Sequence, residues 1–311
     1  MKKSKISAFS LIELSIVILV IGLLIAGVAT GSKLIRDSRL KTARAFSQSS
    51  VVSGLDGLVF WLDATAENTI TNSSNSYKIS DQDRIKTIKS NHQGSKNVVF
   101  SEASSNAGPK YILKGPNQLP TMYFNGAINT LSGDCLKIPF SNYLDPRQFT
   151  MFIVFQGLES QTGGGGTLYS NNIGSSTDTG FYVSYMASGG RWMSLYFGSI
   201  EPLGLLNISS KSRRPLLFSM YSANTPNRSG PASNVFINSI NSYMESETPY
   251  LANSGGGSGI ISLGCNISAS SFTVDYFNGY ISEVILLDRA LSDEDRKEVE
   301  VYLMKKYNIK K

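Results

Sequence analysis

NGYISEVILLDRALSDEDRKEVEVYLMKKYNI, residues 278–309, changes its period once along its length. Tyr280–Leu287 is a short, mostly apolar run, interrupted by Ser282 and Glu283 and bounded by Gly279 and the polar pair Asp288–Arg289, the pattern of a strand. From Ser292 onward the pattern is helical: Ser292 is a capping residue, and Asp293, Glu294 and Asp295 fill a first turn where the helix dipole favours negative charge. Lys305 and Lys306 lie near the other end, and Val299, Tyr302 and Leu303 share an apolar face at helical spacing. The charges read as helix-end chemistry, and the stretch predicts a strand followed by a short helix docked on a sheet.

The same strand texture extends back through most of the 311-residue chain. After SSVVSGLDG (49–57) come LVFWL (58–62), TMYF (121–124), FTMFIVFQ (149–156), FYVSYM (181–186), WMSLYF (192–197), LLFSMY (216–221), NVFINSI (234–240) and IISLG (260–264), separated by Gly, Asn, Ser and Pro. Short strands with turn residues between them predict an all-β sandwich, and 28 glycines suit its loops. No fixed-period repeat is visible, which argues against a solenoid or propeller.

These pieces resemble a concanavalin A-like, laminin G-like jelly roll. The resemblance is carried by GLVFWLDA (57–64), LPTMYFNG (119–126), FTMFIVFQ and the quoted ending, and it covers most of residues 54–311. It implies a body that binds glycans or proteins, in some members through calcium. Asp63, Asp134, Asp275 and Asp288 could supply oxygen ligands, but no tight DxD loop joins them, so they read as turn or strand-end residues and no cofactor is expected. Tyr123, Trp192, Tyr196 and Tyr221 could stack on sugars if exposed, although strand alternation places such residues in a core.

The body is expected not to be an enzyme. Glucanases of this fold class set alternating carboxylates on one strand so that acid and nucleophile flank one bond; the nearest pattern, Glu245-Ser246-Glu247, lacks the third acid. His92, the one histidine, sits in the polar loop KSNHQGSK. The tract Gly163–Gly166 precedes no helix and reads as a flexible loop, not a phosphate cradle.

At the other end, MKKSKISAFSLIELSIVILVIGLLIAGVATGSK (1–33) has one acid, Glu13, inside an apolar stretch. Leu14–Ser32 is long enough, at about 1.5 Å per residue, to cross a hydrocarbon core of about 30 Å. A carboxylate at the bilayer centre costs roughly 2.5–3.5 kcal/mol, so neither a signal peptide nor a plain anchor has need of Glu13. Residues 34–50, LIRDSRLKTARAFSQSS, have no Gly or Pro and continue the helix beyond the membrane.

The motif AFSLIEL (8–14) with its apolar run resembles the prepilin leader of type IV pilins and type II secretion pseudopilins. The resemblance implies a leader of residues 1–8 with Lys2, Lys3 and Lys5, cut after Ala8 by prepilin peptidase, and an N-methylated Phe9 as the new terminus. Residues 9–32 become the membrane and filament-core helix, 33–53 its extension and linker, and 54–311 the laminin G-like domain. The family usually has Gly before the cut; Ala8 is the next smallest residue. Glu13 is implied to act in filament assembly, its carboxylate meeting the Phe9 amine of a neighbouring subunit. Basic residues flank both ends of the span, so the outward orientation of the body rests on the resemblance and not on charge.

Residues 1–44 carry eight basic and two acidic side chains, which accounts for the whole net charge of +6; the remainder is neutral and no nucleic-acid partner is expected. Cys135 and Cys265 lack metal-site spacing and are either one disulfide, stabilising an exported body by up to about 5 kcal/mol, or two buried thiols. The functional expectation is a minor or tip pilin displaying an adhesive body, alternatively a type II secretion pseudopilin, and third a carbohydrate-active enzyme tethered by an uncleaved helix, whose activity would need Glu245 or Glu247. It would sit in the inner membrane as a single-pass protein, then in a surface pilus or periplasmic pseudopilus, with other pilin subunits and a glycan or protein ligand as partners.

Overall fold

The computed structural model describes residues 10–92, 98–105, 107–126, 133–140, 148–158, 165–172, 180–186, 192–197, 205–208, 214–223, 232–242, 259–267 and 276–311. It opens with a single helix, α1 (Leu11–Gln48), followed by two antiparallel sheets, and closes with α2 (Asp293–Tyr307). Strands are numbered β1 to β17 in chain order. The first sheet runs, in space, Ile240–Asn241 (β15), Ala232–Ile237 (β14), Leu216–Ala223 (β13), Phe149–Gly157 (β8), Gly279–Leu287 (β17), Thr121–Phe124 (β6) and Lys110–Ile112 (β5), with Leu58–Asp63 (β1) also paired to β17. The second runs Leu205–Asn207 (β12), Trp192–Phe197 (β11), Gly180–Met186 (β10), Gly165–Asn172 (β9), Gly259–Leu263 (β16), Leu136–Phe140 (β7), Val99–Glu102 (β4), Ile85–Lys89 (β3) and Ile70–Asn72 (β2).

β17 is the keel of the first sheet. One edge pairs with β8 along its length, while the other is shared end to end by β6, against Gly279–Ile281, and β1, against Glu283–Leu287. Its sequence shows no clean alternation because both faces are covered. Met151, Ile153 and Phe155 of β8, with Ile281, Val284 and Leu286 of β17, join the core between the sheets. Phe152, Val154, Ile285 and Leu287 point the other way, into a second core shared with Trp61, with Ala43 of α1, and with Val299, Tyr302, Leu303 and Tyr307 of α2. The architecture is therefore sheet on sheet, with a helical layer on the outer face of the first sheet.

α1 is capped by Ser10, whose Oγ accepts from the Ile12 N–H at 3.3 Å, while the Ser10 N–H donates to Glu13 Oε2 at 2.9 Å. At about 1.5 Å per residue its 38 residues span roughly 57 Å. Its apolar half is wholly exposed and is long and apolar enough to cross a membrane, as an anchor or as a signal sequence. Its last turns bind the body: Arg44 donates to the Thr65 carbonyl at 2.6 Å and pairs with Glu67 at 2.9 Å. α2 is capped by Ser292, which accepts from the Asp295 N–H at 3.1 Å, and ends at Asn308 in the left-handed conformation.

Gly165 and Gly166 open β9, a correction to the reading of 163–166 as a loop; residues 163 and 164 lie outside the described residues. A Cβ on Gly166 would come within 2.3 Å of the Tyr276 carbonyl oxygen, so the glycine serves close backbone approach.

Candidate functional site

Glu283 reaches its position through a bulge. The β17 register shifts between Ile281 and Glu283, and one extra residue reverses the facing of all that follow. Glu283 thereby joins Ile285 and Leu287 on the helix-bearing face instead of entering the inter-sheet core with Ile281. Across the ladder β1 places Asp63 directly opposite Glu283 and Trp61 opposite Ile285. Two carboxylates so paired would repel each other. Lys306 of α2 lies between them, its Nζ 2.8 Å from Asp63 Oδ2 and 2.7 Å from Glu283 Oε2, with all three side chains no more than 1% exposed.

Each remaining lone pair has a donor. Asp63 Oδ1 accepts from the Thr65 N–H at 2.8 Å and the Thr65 hydroxyl at 2.7 Å, and Oδ2 accepts from Ser47 Oγ at 2.9 Å. Glu283 Oε1 accepts from Trp61 Nε1 at 2.7 Å and Tyr302 OH at 2.8 Å, and Oε2 from Tyr307 OH at 2.9 Å. Lys306 Nζ also donates to Ser47 Oγ at 2.7 Å. The knot thus joins the last turns of α1, β1, β17 and α2.

The two acids titrate in opposite directions. Burial pushes Asp63 up, but the Lys306 charge and the bonds from Lys306 and Thr65 outweigh it and hold Asp63 below the ordinary carboxylate value. Burial pushes Glu283 up as well, and the neighbouring Asp63 charge keeps it raised despite Lys306. For Lys306 burial acts downward and is overcome by Asp63 and Glu283, so its pKa is raised. Tyr302 and Tyr307 lie well above their usual value, first through burial and then through Glu283.

A second polar group anchors the middle of α2. Glu300 accepts from Arg296 at 2.6 Å, from Ser239 at 2.6 Å and from Ser219, while the Arg296 guanidinium lies 3.6 Å from the Phe236 ring centroid.

Among the residues singled out in the sequence, Glu13 is the third residue of α1 and satisfies the Ser10 N–H; Ala8 and Phe9 lie outside the described residues. Cys135 and Cys265 are joined as a disulfide, with Cα atoms 5.5 Å apart. Asp134 accepts from Arg84 at 2.7 Å and from the Asn125 N–H at 2.9 Å. Tyr123 packs on Tyr280 at 5.3 Å and Tyr221 on Phe236 at 6.2 Å, while the side chains of Trp192 and Tyr196 lie outside the described residues. Asp275, Glu245 and Glu247 also lie outside them. Asp63, read as a turn or strand-end residue, is the last residue of β1 and also half of the buried acid pair. Lys306, read as helix-end charge, is its cation. The missed signal was its place on the apolar face of α2, one turn after Tyr302 and beside Tyr307.

No protein-family model matches the chain, and no curated protein resembles it significantly. Solved structures do. An arabinofuranosidase complexed with arabinofuranosyl-alpha-1,2-xylobiose aligns at TM-score 0.52 and 12% identity, covering 83% of this chain and 61% of that one. A Trypanosoma rangeli sialidase in complex with 2,3-difluoro-KDN aligns at 0.45 and 12%, covering 87% and 38%. The Ruminococcus gnavus IT-sialidase CBM40 bound to alpha2,3 sialyllactose aligns at 0.35 and 16%, covering 50% and 82%. The chain thus spans little more than a third of the first sialidase and under two thirds of the arabinofuranosidase. At such identity the likeness shows the fold alone. The expectation that the body is not an enzyme is nevertheless corrected, because the fold it shares with the arabinofuranosidase is one that a glycosidase uses. The physical reason is that spacing along one strand does not reveal carboxylates that the fold brings together from distant strands, as it does with Asp63 and Glu283. The comparison with the arabinofuranosidase and the structure together give a β-sandwich body behind an apolar N-terminal helix.

Proposed function

We propose that the chain is a minor or tip subunit of a type IV pilin-like filament, with its laminin G-like body displayed outward to recognise a glycan or protein ligand. The observation that carries this reading is α1: one unbroken helix running directly into the body, apolar and exposed over its first half, where the one acid is Glu13 at the third position. A body of this bulk on one helix would crowd a major filament, which favours a minor or terminal place. In this reading the membrane stores the subunit before assembly, prepilin peptidase cuts after Ala8, and Phe9 becomes the methylated terminus. Glu13, which here satisfies the Ser10 N–H, exchanges that local bond for the Phe9 amine of a neighbour.

The test is the mature N-terminus, read by mass spectrometry on protein from its native membrane. The expected result is N-methylated Phe9; an intact Met1 or a cut near Ala29 would remove the pilin reading. Glu13→Ala is expected to insert in the membrane at the normal level and to be missing from sheared filaments, and its normal incorporation would remove the assembly role.

A further inference from the structure

The Lys306, Asp63 and Glu283 group is arranged for a reaction. One amine nitrogen touches two carboxylates in a site closed to water, and the donors around those carboxylates differ in kind. Asp63 Oδ1 is held by two fixed donors of its own turn, the N–H and hydroxyl of Thr65, while Oδ2 faces Lys306 Nζ and Ser47 Oγ. Glu283 stands on the other side of Nζ, among two tyrosine hydroxyls that can pass protons. The nucleophile, Lys306 Nζ, is therefore in contact both with the electrophile, which carries a two-donor hole, and with the proton carrier.

We propose that Lys306 and Asp63 condense into an intramolecular amide bond, with Glu283 as the catalytic residue. The ammonium first gives one proton to Asp63 Oδ2, leaving a neutral amine and a neutral carboxylic acid; this exchange runs against the ionised pair that the surrounding charges and donors favour, so it is the slow step. The nitrogen lone pair then adds to Cγ, and the negative charge formed on Oδ1 is held by Thr65. Glu283 takes a proton from the now cationic nitrogen and delivers it to the Oδ2 hydroxyl. The Cγ–Oδ2 bond breaks, one water leaves, the Oδ1 carbonyl re-forms, and Glu283 is again a carboxylate. The balance is ammonium plus carboxylate to amide plus water, with no oxidant, reductant or cofactor. The product ties α2 covalently to β1, and it does not depend on the filament reading.

The test is a peptide map of the full chain, purified in detergent, reduced, alkylated and digested with trypsin. An acylated Lys306 is not cleaved, so the expected product is peptide 45–78 joined to peptide 306–310, lighter than the two together by one water. A wild-type map with these two segments unlinked, or with Lys306 joined to Glu283, overturns the proposal. Glu283→Gln is expected to give only the unlinked peptides, and a branched product in that variant removes the role of Glu283. Should Glu283→Gln fail to fold, the wild-type map still decides.

Discussion

Removing the Lys306 ammonium leaves Asp63 and Glu283 facing each other across the β1–β17 ladder with no cation between them. Stripping one partner from a buried charge group costs about 3–5 kcal/mol, so Lys306→Met is expected to lower the unfolding free energy of the detergent-solubilised chain in urea titration by at least that amount, and by more where the amide has formed. The exposed pair Lys297–Asp293, 3.7 Å apart with side chains 60% and 64% exposed, offers the contrast. Lys297→Met is expected to change stability by less than about 1 kcal/mol, because solvent screens that pair and its ordering entropy offsets the attraction. The tyrosines set an alkaline limit. Their folded-state pKa values are raised above the 10.0 of the unfolded chain, so the native state holds those protons more tightly. Their contribution is complete below pH 10 and is lost as pH rises beyond it. Thermal unfolding measured from pH 8 to 12 is expected to show a falling midpoint above about pH 10, and Tyr307→Phe, with one fewer proton to lose, a shallower fall.

At the scale of elements, α2 is where cap, packing and site coincide. Ser292→Ala removes the acceptor of the Asp295 N–H and is expected to cost about 1 kcal/mol, seen as a lowered thermal midpoint. A midpoint equal to wild type would mean that the packing of α2 on the sheet holds the helix without its cap. Much of this element was legible: cap, first-turn acids and the face of Val299, Tyr302 and Leu303 all follow from spacing. Its chemistry was not, because a lysine at a helix C-terminus has a sufficient local explanation in the dipole, and only the tertiary fold shows it pointing inward. Strands tell the same story. Those filled with large apolar residues, such as β8 and β17, could be read directly, whereas β3 (IKTIK), β7 (LKIPF) and β9 (GGTLYSNN) are short, polar or punctuated by Pro and Gly, and gain their strand character from neighbours. The bulge that turns Glu283 outward has no sequence signature, yet without it the acid would face the inter-sheet core.

For the molecule as a whole, the disulfide and the knot lie in different parts of the sandwich. Cys135 and Cys265 join the start of β7 to the chain just after β16 across a separation of 130 residues, in the second sheet. Replacing both with alanine is expected to cost about 2–5 kcal/mol in denaturant titration, since the bridge limits the freedom of the unfolded chain. The knot, by contrast, takes Ser47 from the foot of α1 and Lys306 from the last turn of α2, so it spans nearly all of the body. That span imposes an order in time. A chain made from its N-terminus has α1 and β1 long before Lys306, and until then Asp63 and Ser47 have no cation to meet. The body therefore closes late: the foot of α1 is fastened to β1 and β17 only once α2 has been made.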